Sequence, residues 1–384
     1  MTKGWAGNRS QERIRLLAGS YLDHQALRTA VVAEVATMVP FDAFVWPLCD
    51  PVTTVGMAPR ARIPCPQELP TLIRLKYLSE AGRWTELMHS QEPAASLLKA
   101  TQGEPSRSPV WSGVLQRYSV RDVLSAVFAD KYGCWAWLDL WRTGDSVPFT
   151  DEDTAYLGEL AEVVTAGLRR SVARQFWTPR EPEAAPDPAT GAGAGQPGLP
   201  EQAVLTLDDD LAIAGRTASV DDWLQLLQPG PAPHDHVPAE VLNVAAQLAA
   251  REAQVDTHAA ECRVYVGAGR WASLRANRME SGVSRTTPPV AVTIQACTSA
   301  ARLDMFVRAF GLTPRQGELL WLTATGADTA AMADAQGVTP YTVQDQFKQL
   351  FKACGVHSRA SLLAMALGTG PASSGGPSAP VPTR

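Results

Sequence analysis

Six cysteines, at 49, 65, 134, 262, 297 and 354, include no C-x-x-C pair. That spacing argues against a zinc ribbon or a dithiol redox centre and reads as reduced, buried small side chains. A metal or redox sensor among Cys49, Cys65 and Cys134 is the alternative. No apolar run reaches the length of a membrane span, and the N-terminal MTKGWAGNRSQERIR has no secretory stretch. A cytoplasmic chain with no membrane partner is therefore expected. Positive charge is not in excess either: the net charge is −5, with no basic arm or tail to hold nucleic acid. The chain also lacks a G-x-x-x-x-G-K-[ST] phosphate loop, a G-x-S-x-G nucleophile elbow and a receiver-type aspartate pattern. No enzyme activity, catalytic residue, metal or cofactor is expected.

At 384 residues and 45% hydrophobic, there is material for two or three cores. Six prolines, five alanines and four glycines crowd into the 23 positions 178–200, a composition that cannot bury a core and predicts a flexible linker. The residues after Leu367 are similar and predict a disordered tail at 369–384. Gly193, Gly195 and Gly198 match G-x-G-x-x-G, but proline and alanine flank them where a strand and a helix are required, so the match is chance. His234-Asp235-His236 lies between prolines with no third ligand at helical spacing and reads as a solvated loop.

Residues 1–177 read as one α+β domain. Positions 23–39 form an amphipathic helix stopped by Pro40. FDAFVWPLCDP and TTVGMAP follow as strands, and a helix lies near 67–80. Residues 120–130 and 133–142 pair as strands across a Lys131–Gly133 turn, and Thr150 to Asp153 caps a long helix reaching about Phe176. This ending and the paired strands resemble a GAF domain. Six of eleven tryptophans, Trp46, Trp84, Trp111, Trp135, Trp137 and Trp141, lie between positions 46 and 141, and alternation puts Trp135, Trp137 and Trp141 on one face of a strand. An aromatic-lined ligand pocket that includes Trp46, Trp111, Trp135, Trp137 and Trp141 is one reading, and core packing is the other. Residues 201–304 give the order β-β-α-α-β-β, with CRVYVGAGRWASLRANRM and PPVAVTIQAC as its last two strands, and resemble a compact α+β PAS-like domain.

The segment 305–368 carries the densest local signals. Thr313-Pro314-Arg315-Gln316 is a capping box with proline at the first helical position, and Gly326 ends that helix. A second helix carries Met332 and Ala333, Gly337 turns the chain, Thr339-Pro340 starts a third helix, Gly355 closes it and Ser358 caps a fourth. On the third helix Val343, Phe347, Leu350 and Phe351 predict a buried face, opposite Tyr341, Gln344, Asp345, Lys348 and Lys352. Leu312-Thr313-Pro314-Arg315, Gly326, Met332-Ala333, Thr342-Val343, Gly355-Val356 and Ser358-Arg359 occur in the order and spacing of the LuxR-type (NarL/FixJ) DNA-binding domain, which this segment resembles. The resemblance implies an all-α four-helix fold whose third helix enters the DNA major groove.

By position, Gln344, Asp345 and Lys348 would face bases, and Arg315, Thr339, Tyr341, Thr342, Lys352 and Arg359 would contact the DNA backbone. The chain departs from the family at Gln316, Gln336, Gln344, Gln346 and Ala353. Between 311 and 368, Arg315, Lys348, Lys352 and Arg359 are balanced by Glu318, Asp328, Asp334 and Asp345. A neutral domain neutralises few phosphates and should bind DNA weakly as a monomer.

Together these observations lead to the expectation of a multidomain regulator of transcription. Its GAF-like and PAS-like parts would sense a small-molecule ligand or mediate dimerisation. Its last domain would bind double-stranded DNA as a homodimer pairing through Leu362, Leu363, Met365 and Leu367. The alternative is a protein-interaction regulator acting through a partner transcription factor or RNA polymerase.

Overall fold

The computed structural model describes residues 3–177, 199–228, 237–280 and 288–368. The expected linker up to residue 198, the tail, the chance glycine motif and His234–His236 lie outside the described residues. Those residues divide into two compact units. One gathers residues of Met1–Ser171, Pro200–Val264 and Ala272–Ala296; the other gathers residues of Val172–Leu199, Tyr265–Trp271 and Cys297–Arg384. Among the described residues, no helix is long and apolar enough to cross a membrane.

The first unit holds two five-stranded antiparallel sheets. The first sheet is preceded by α1 (Lys3–Gly19) and α2 (His24–Met38). Its strands and intervening helices run β1 (Ala43–Cys49), β2 (Gly56–Arg62), α3 (Leu69–Leu78), α4 (Trp84–Leu87), β3 (Ala94–Ser96), α5 (Leu97–Ala100), α6 (Pro109–Gly113), β4 (Val120–Asp130) and β5 (Gly133–Thr143). In space the strands lie in the order β2-β1-β5-β4-β3. Asp23 starts α2 by accepting from the amides of Gln25 and Ala26. The β4–β5 turn requires Gly133, whose φ is +137° and where a Cβ would stand 2.1 Å from the Pro51 carbonyl oxygen. The reciprocal Thr150–Asp153 capping box starts α7 (Asp151–Glu159) as expected. The single long helix expected to Phe176 is instead broken at Leu160, continuing as α8 (Ala161–Ala173) and a 3-10 turn at Arg174–Phe176.

The second sheet follows as β6 (Ala203–Leu207), β7 (Ile213–Arg216), α9 (Val220–Leu227), α10 (Ala239–Glu252), β8 (Glu261–Tyr265), β9 (Trp271–Arg278) and β10 (Val290–Ala296). The run expected to be one strand, CRVYVGAGRWASLRANRM, is two, so the order is β-β-α-α-β-β-β. Gly267, Ala268 and Gly269 all adopt positive φ (89°, 50° and 69°), which no continuous strand allows. Spatial order is β7-β6-β10-β9-β8.

Helix α10 belongs to the second sheet by sequence, yet it packs on α3 and β2 as well as on β10. Ten of its fourteen residues are buried, on every face, as befits a helix enclosed on all sides. Buried polar pairs also join the chain around the first sheet to the chain around the second. Arg263 of β8 grips both carboxylate oxygens of Asp50, at 2.7 Å each. Arg83 donates to Asp256 at 2.6 Å, and Glu240 accepts from the Ala58 amide at 2.8 Å. Burial works to raise the Asp50 carboxyl, but the Arg263 charge and its hydrogen bonds hold it below the usual range.

The second unit holds α11 (Ser299–Ala309), α12 (Pro314–Ala324), α13 (Thr329–Gln336), α14 (Pro340–Cys354) and α15 (Arg359–Leu367). The domain boundary expected between 304 and 305 falls inside α11, a helix that Thr298 caps through the Ala301 amide. Phe306 of α11 and Phe310, which follows the helix, pack with Phe176, which stacks on Trp271 at 5.1 Å. Arg302 donates to the carbonyls of Gly269, Met365 and Ala366. Three separate stretches of chain thus close one core.

Candidate functional site

In the second unit the local punctuation forms as the residues predict. Thr313 and Gln316 make the reciprocal capping box of α12. Gly337 takes φ +61° between α13 and α14, and Thr339 caps α14 through the Thr342 amide. Val343, Phe347 and Leu350 are buried, while Phe351 is half-buried. Tyr341, Gln344, Lys348 and Lys352 are exposed on the opposite side, Tyr341 at 69%.

The charged members of this face are largely engaged within the chain. Lys348 Nζ lies 2.8 Å from the Asp345 carboxylate, and that hydrogen bond raises the lysine pKa. Arg359 lies 3.9 Å over the Phe347 ring and donates to the Thr329 hydroxyl. Arg315 donates to the Gln336 carbonyl, and Gln336 answers through its amide to the Arg315 carbonyl and the Glu318 carboxylate. Gln336 therefore ties α12 to α13. Thr339 and Thr342 pair hydroxyl to hydroxyl at 3.0 Å. Of the expected cations only Lys348 is ion-paired among the described residues; Arg315 and Arg359 are held by neutral partners, and no hydrogen bond or ion pair is found for the exposed Lys352. Of the residues expected to pair two copies, Leu362 and Met365 are buried within the unit, and Leu363 and Leu367 are half-buried.

The first unit holds a partly open cavity of about 130 Å³. Its floor follows from register. Val123 pairs with Trp141, Ser125 with Asp139 and Val127 with Trp137, and Val45 stands beside Asp139 on the other neighbour. Residues 137, 139 and 141 share a face by the period of a strand. Across the cavity α3 supplies Leu72, Ile73, Lys76 and Tyr77, at the spacing of one helical face. Helix α10 supplies Ala239 and Asn243, and Gly56 of β2 keeps the way clear, since a Cβ there would come within 3.3 Å of the Asn243 amide.

One ion pair sits in this apolar lining. Lys76 Nζ lies 2.7 Å from Asp139, and the Ser125 hydroxyl donates to the same carboxylate at 2.6 Å. Lys76 also lies 5.2 Å over the Trp137 ring, whose other neighbour, Trp84, stacks at 5.2 Å. Three other lining residues carry buried donors with no partner: Trp137 Nε1, Trp141 Nε1 and Ser108 Oγ.

Of the five tryptophans expected in a pocket, Trp137 and Trp141 line the cavity and Trp46, Trp111 and Trp135 do not. Trp46 follows Val45 and so points to the other face of β1, where it packs on Phe128 at 5.4 Å. Trp111 is half-buried and donates to the Val120 carbonyl. Trp135 fails for a register reason. The β4–β5 pairing slips between Phe128 and Ala129, so Cys134 instead of Trp135 joins the cluster around Trp137. Trp135 donates to Asp130, which pairs with Arg169 of α8. Sequence reasoning missed Lys76, Asp139 and Ser125. A lone carboxylate between tryptophans in the apolar strand GCWAWLDLWRT was the available clue.

No protein-family model matches the chain, and no curated protein matches it.

Proposed function

We propose that the chain is a DNA-binding regulator of transcription whose first unit receives a signal and whose second unit meets promoter DNA. The observation that carries the reading is α14. It follows a glycine turn after α13, buries one row of side chains and exposes Tyr341, Gln344, Lys348 and Lys352 along the other. That is the presentation a recognition helix needs, with polar side chains free to reach base edges. GAF-like and PAS-like identities for the two sheets fit the reading. Both sheets have the same strand order, each chain-wise second strand at one edge and third strand at the other. Binding would require two copies, because a neutral domain gains little from phosphates. In a titration of the full chain against genomic fragments at several salt concentrations, a subset of fragments should bind at low salt with a shallow salt dependence. Absence of binding to any fragment at low salt removes the reading.

A second reading has its own support. Lys348, Arg315 and Arg359 already have partners within the chain. Cations held in this way, one by a carboxylate and two by neutral groups, suit an interaction-only regulator that pairs with a partner transcription factor or RNA polymerase. The same titration separates the two, since the second reading expects DNA retention only when the partner is added.

A further inference from the structure

We infer that the cavity of the first unit is a binding site for an uncharged, single-ring organic molecule carrying a hydrogen-bond acceptor such as a ring carbonyl. The inference deepens the signal-receiving half of the reading above and does not need its DNA-binding half.

Size comes first. The cavity measures about 130 Å³, and an apolar cavity of about 150 Å³ holds benzene. A single ring matches that volume. Its walls are mostly aliphatic and aromatic, including Val45, Leu72, Val123 and Trp137, which favours a flat apolar body.

Polarity comes next. Trp137, Trp141 and Ser108 are at most 6% exposed, yet their Nε1, Nε1 and Oγ groups have no partner. Buried donors are nearly always satisfied, and three orphans on residues that line one cavity favour a guest that can accept. An indole N–H can only donate, so the missing partner must accept. Charge decides the remainder. Lys76 and Asp139 already neutralise each other, and Ser125 completes the carboxylate. A charged guest would lose its hydration without a free counter-ion, so an uncharged guest is favoured.

The test uses the full chain without DNA, so its outcome is independent of the promoter titration. Tryptophan fluorescence and calorimetry would follow titration with 2-pyridone, 2-pyranone and cyclohexenone as neutral carbonyl rings, benzene as the acceptor-free ring and benzoate as the charged one. At least one carbonyl ring should bind saturably, at least tenfold tighter than benzene and benzoate. Ser108→Ala should weaken that binding several-fold while leaving the melting temperature of the free chain nearly unchanged. Val123→Leu, which fills cavity volume and keeps every donor, should also weaken it. Equal affinity for benzene, preference for benzoate, or no binding by any carbonyl ring at 10 mM (roughly the weak end of fragment affinity) overturns the inference. An unchanged affinity in both variants does so too, by placing the ligand elsewhere.

Discussion

The two sheets of the first unit have the same strand order and are filled differently. Beneath the first, β4 and β5 run eleven residues each and put Trp137, Asp139 and Trp141 on one face. Beneath the second, β6 and β10 present Ala203, Leu205, Leu207, Val290, Val292 and Ile294, all buried, and α9 and α10 pack on those strands. Small and branched aliphatic groups interdigitate closely under a helix. Rigid indoles and a desolvated ion pair do not, and a space remains between β5 and α3. Equal topology therefore does not imply equal filling; side-chain shape and charge decide whether a sheet makes a core or a cavity.

The largest test of that comparison is to cut what joins the two sheets. Asp50→Ala leaves Arg263 buried without its carboxylate, and about 3–5 kcal/mol of stability should be lost in denaturant unfolding. If the sheets form one cooperative unit, the loss appears as a shift of one transition. Two resolved transitions would mean that they unfold separately.

Acid should act on the first sheet's helical side. Burial, then the charge of Arg28, lowers the His24 pKa from 6.5 to about 4. Arg28 Nη2 lies 2.9 Å from His24 Nδ1 and donates to the carbonyls of Trp46 and Ala58 through Nη1. The unfolded chain protonates this histidine near 6.5 and the folded chain does not until about 4. The stabilising effect of keeping it neutral is thus present above pH 6.5 and is lost as pH falls from 6.5 to 4. The expected slope is about 1.4 kcal/mol per pH unit, roughly 3 kcal/mol across the window. His24→Gln should flatten that slope in urea titrations, and an unchanged slope would assign it to other groups.

A matched pair of enlargements sharpens the contrast in filling. Val292→Leu in the second sheet overpacks a filled core and should destabilise by about 1–3 kcal/mol. Val123→Leu in the first has the cavity to enter and should be neutral within about 0.5 kcal/mol. Equal losses would mean that the cavity is closed in solution. The smallest effect is expected at the exposed counterpart of the buried ion pairs, Asp345 with Lys348. Asp345→Asn should leave the melting temperature unchanged and, if DNA binds, steepen the log–log salt dependence by about 0.9 per freed cation.

Helix starts were legible because their causes are local. Thr150, Thr313, Thr339 and Ser358 each cap a helix with an oxygen no more than three residues from the amide it satisfies. Strands β1, β2, β4 and β5 and the faces of α14 were legible for the same reason, since periods of 2 and 3.6 are written in neighbouring side chains. Strand β3 has three residues and no room to show a period, and α1 is polar throughout much of its length, with few apolar residues to set one. The break between β8 and β9 was hidden because alternation continues on both sides of Gly267–Gly269.

The sequence by itself determined most strands and helix starts, their cap residues, the buried row of α14 and the neutral charge of the segment that carries it. Only the tertiary structure decided that Trp135 leaves the face of Trp137, because a register slip depends on the partner strand. It alone decided that α10 walls a cavity beneath another sheet, and that Lys76 meets Asp139. Those outcomes depend on which distant surfaces exclude water together. Local chemistry states what a residue can bond, and packing chooses the partner it has.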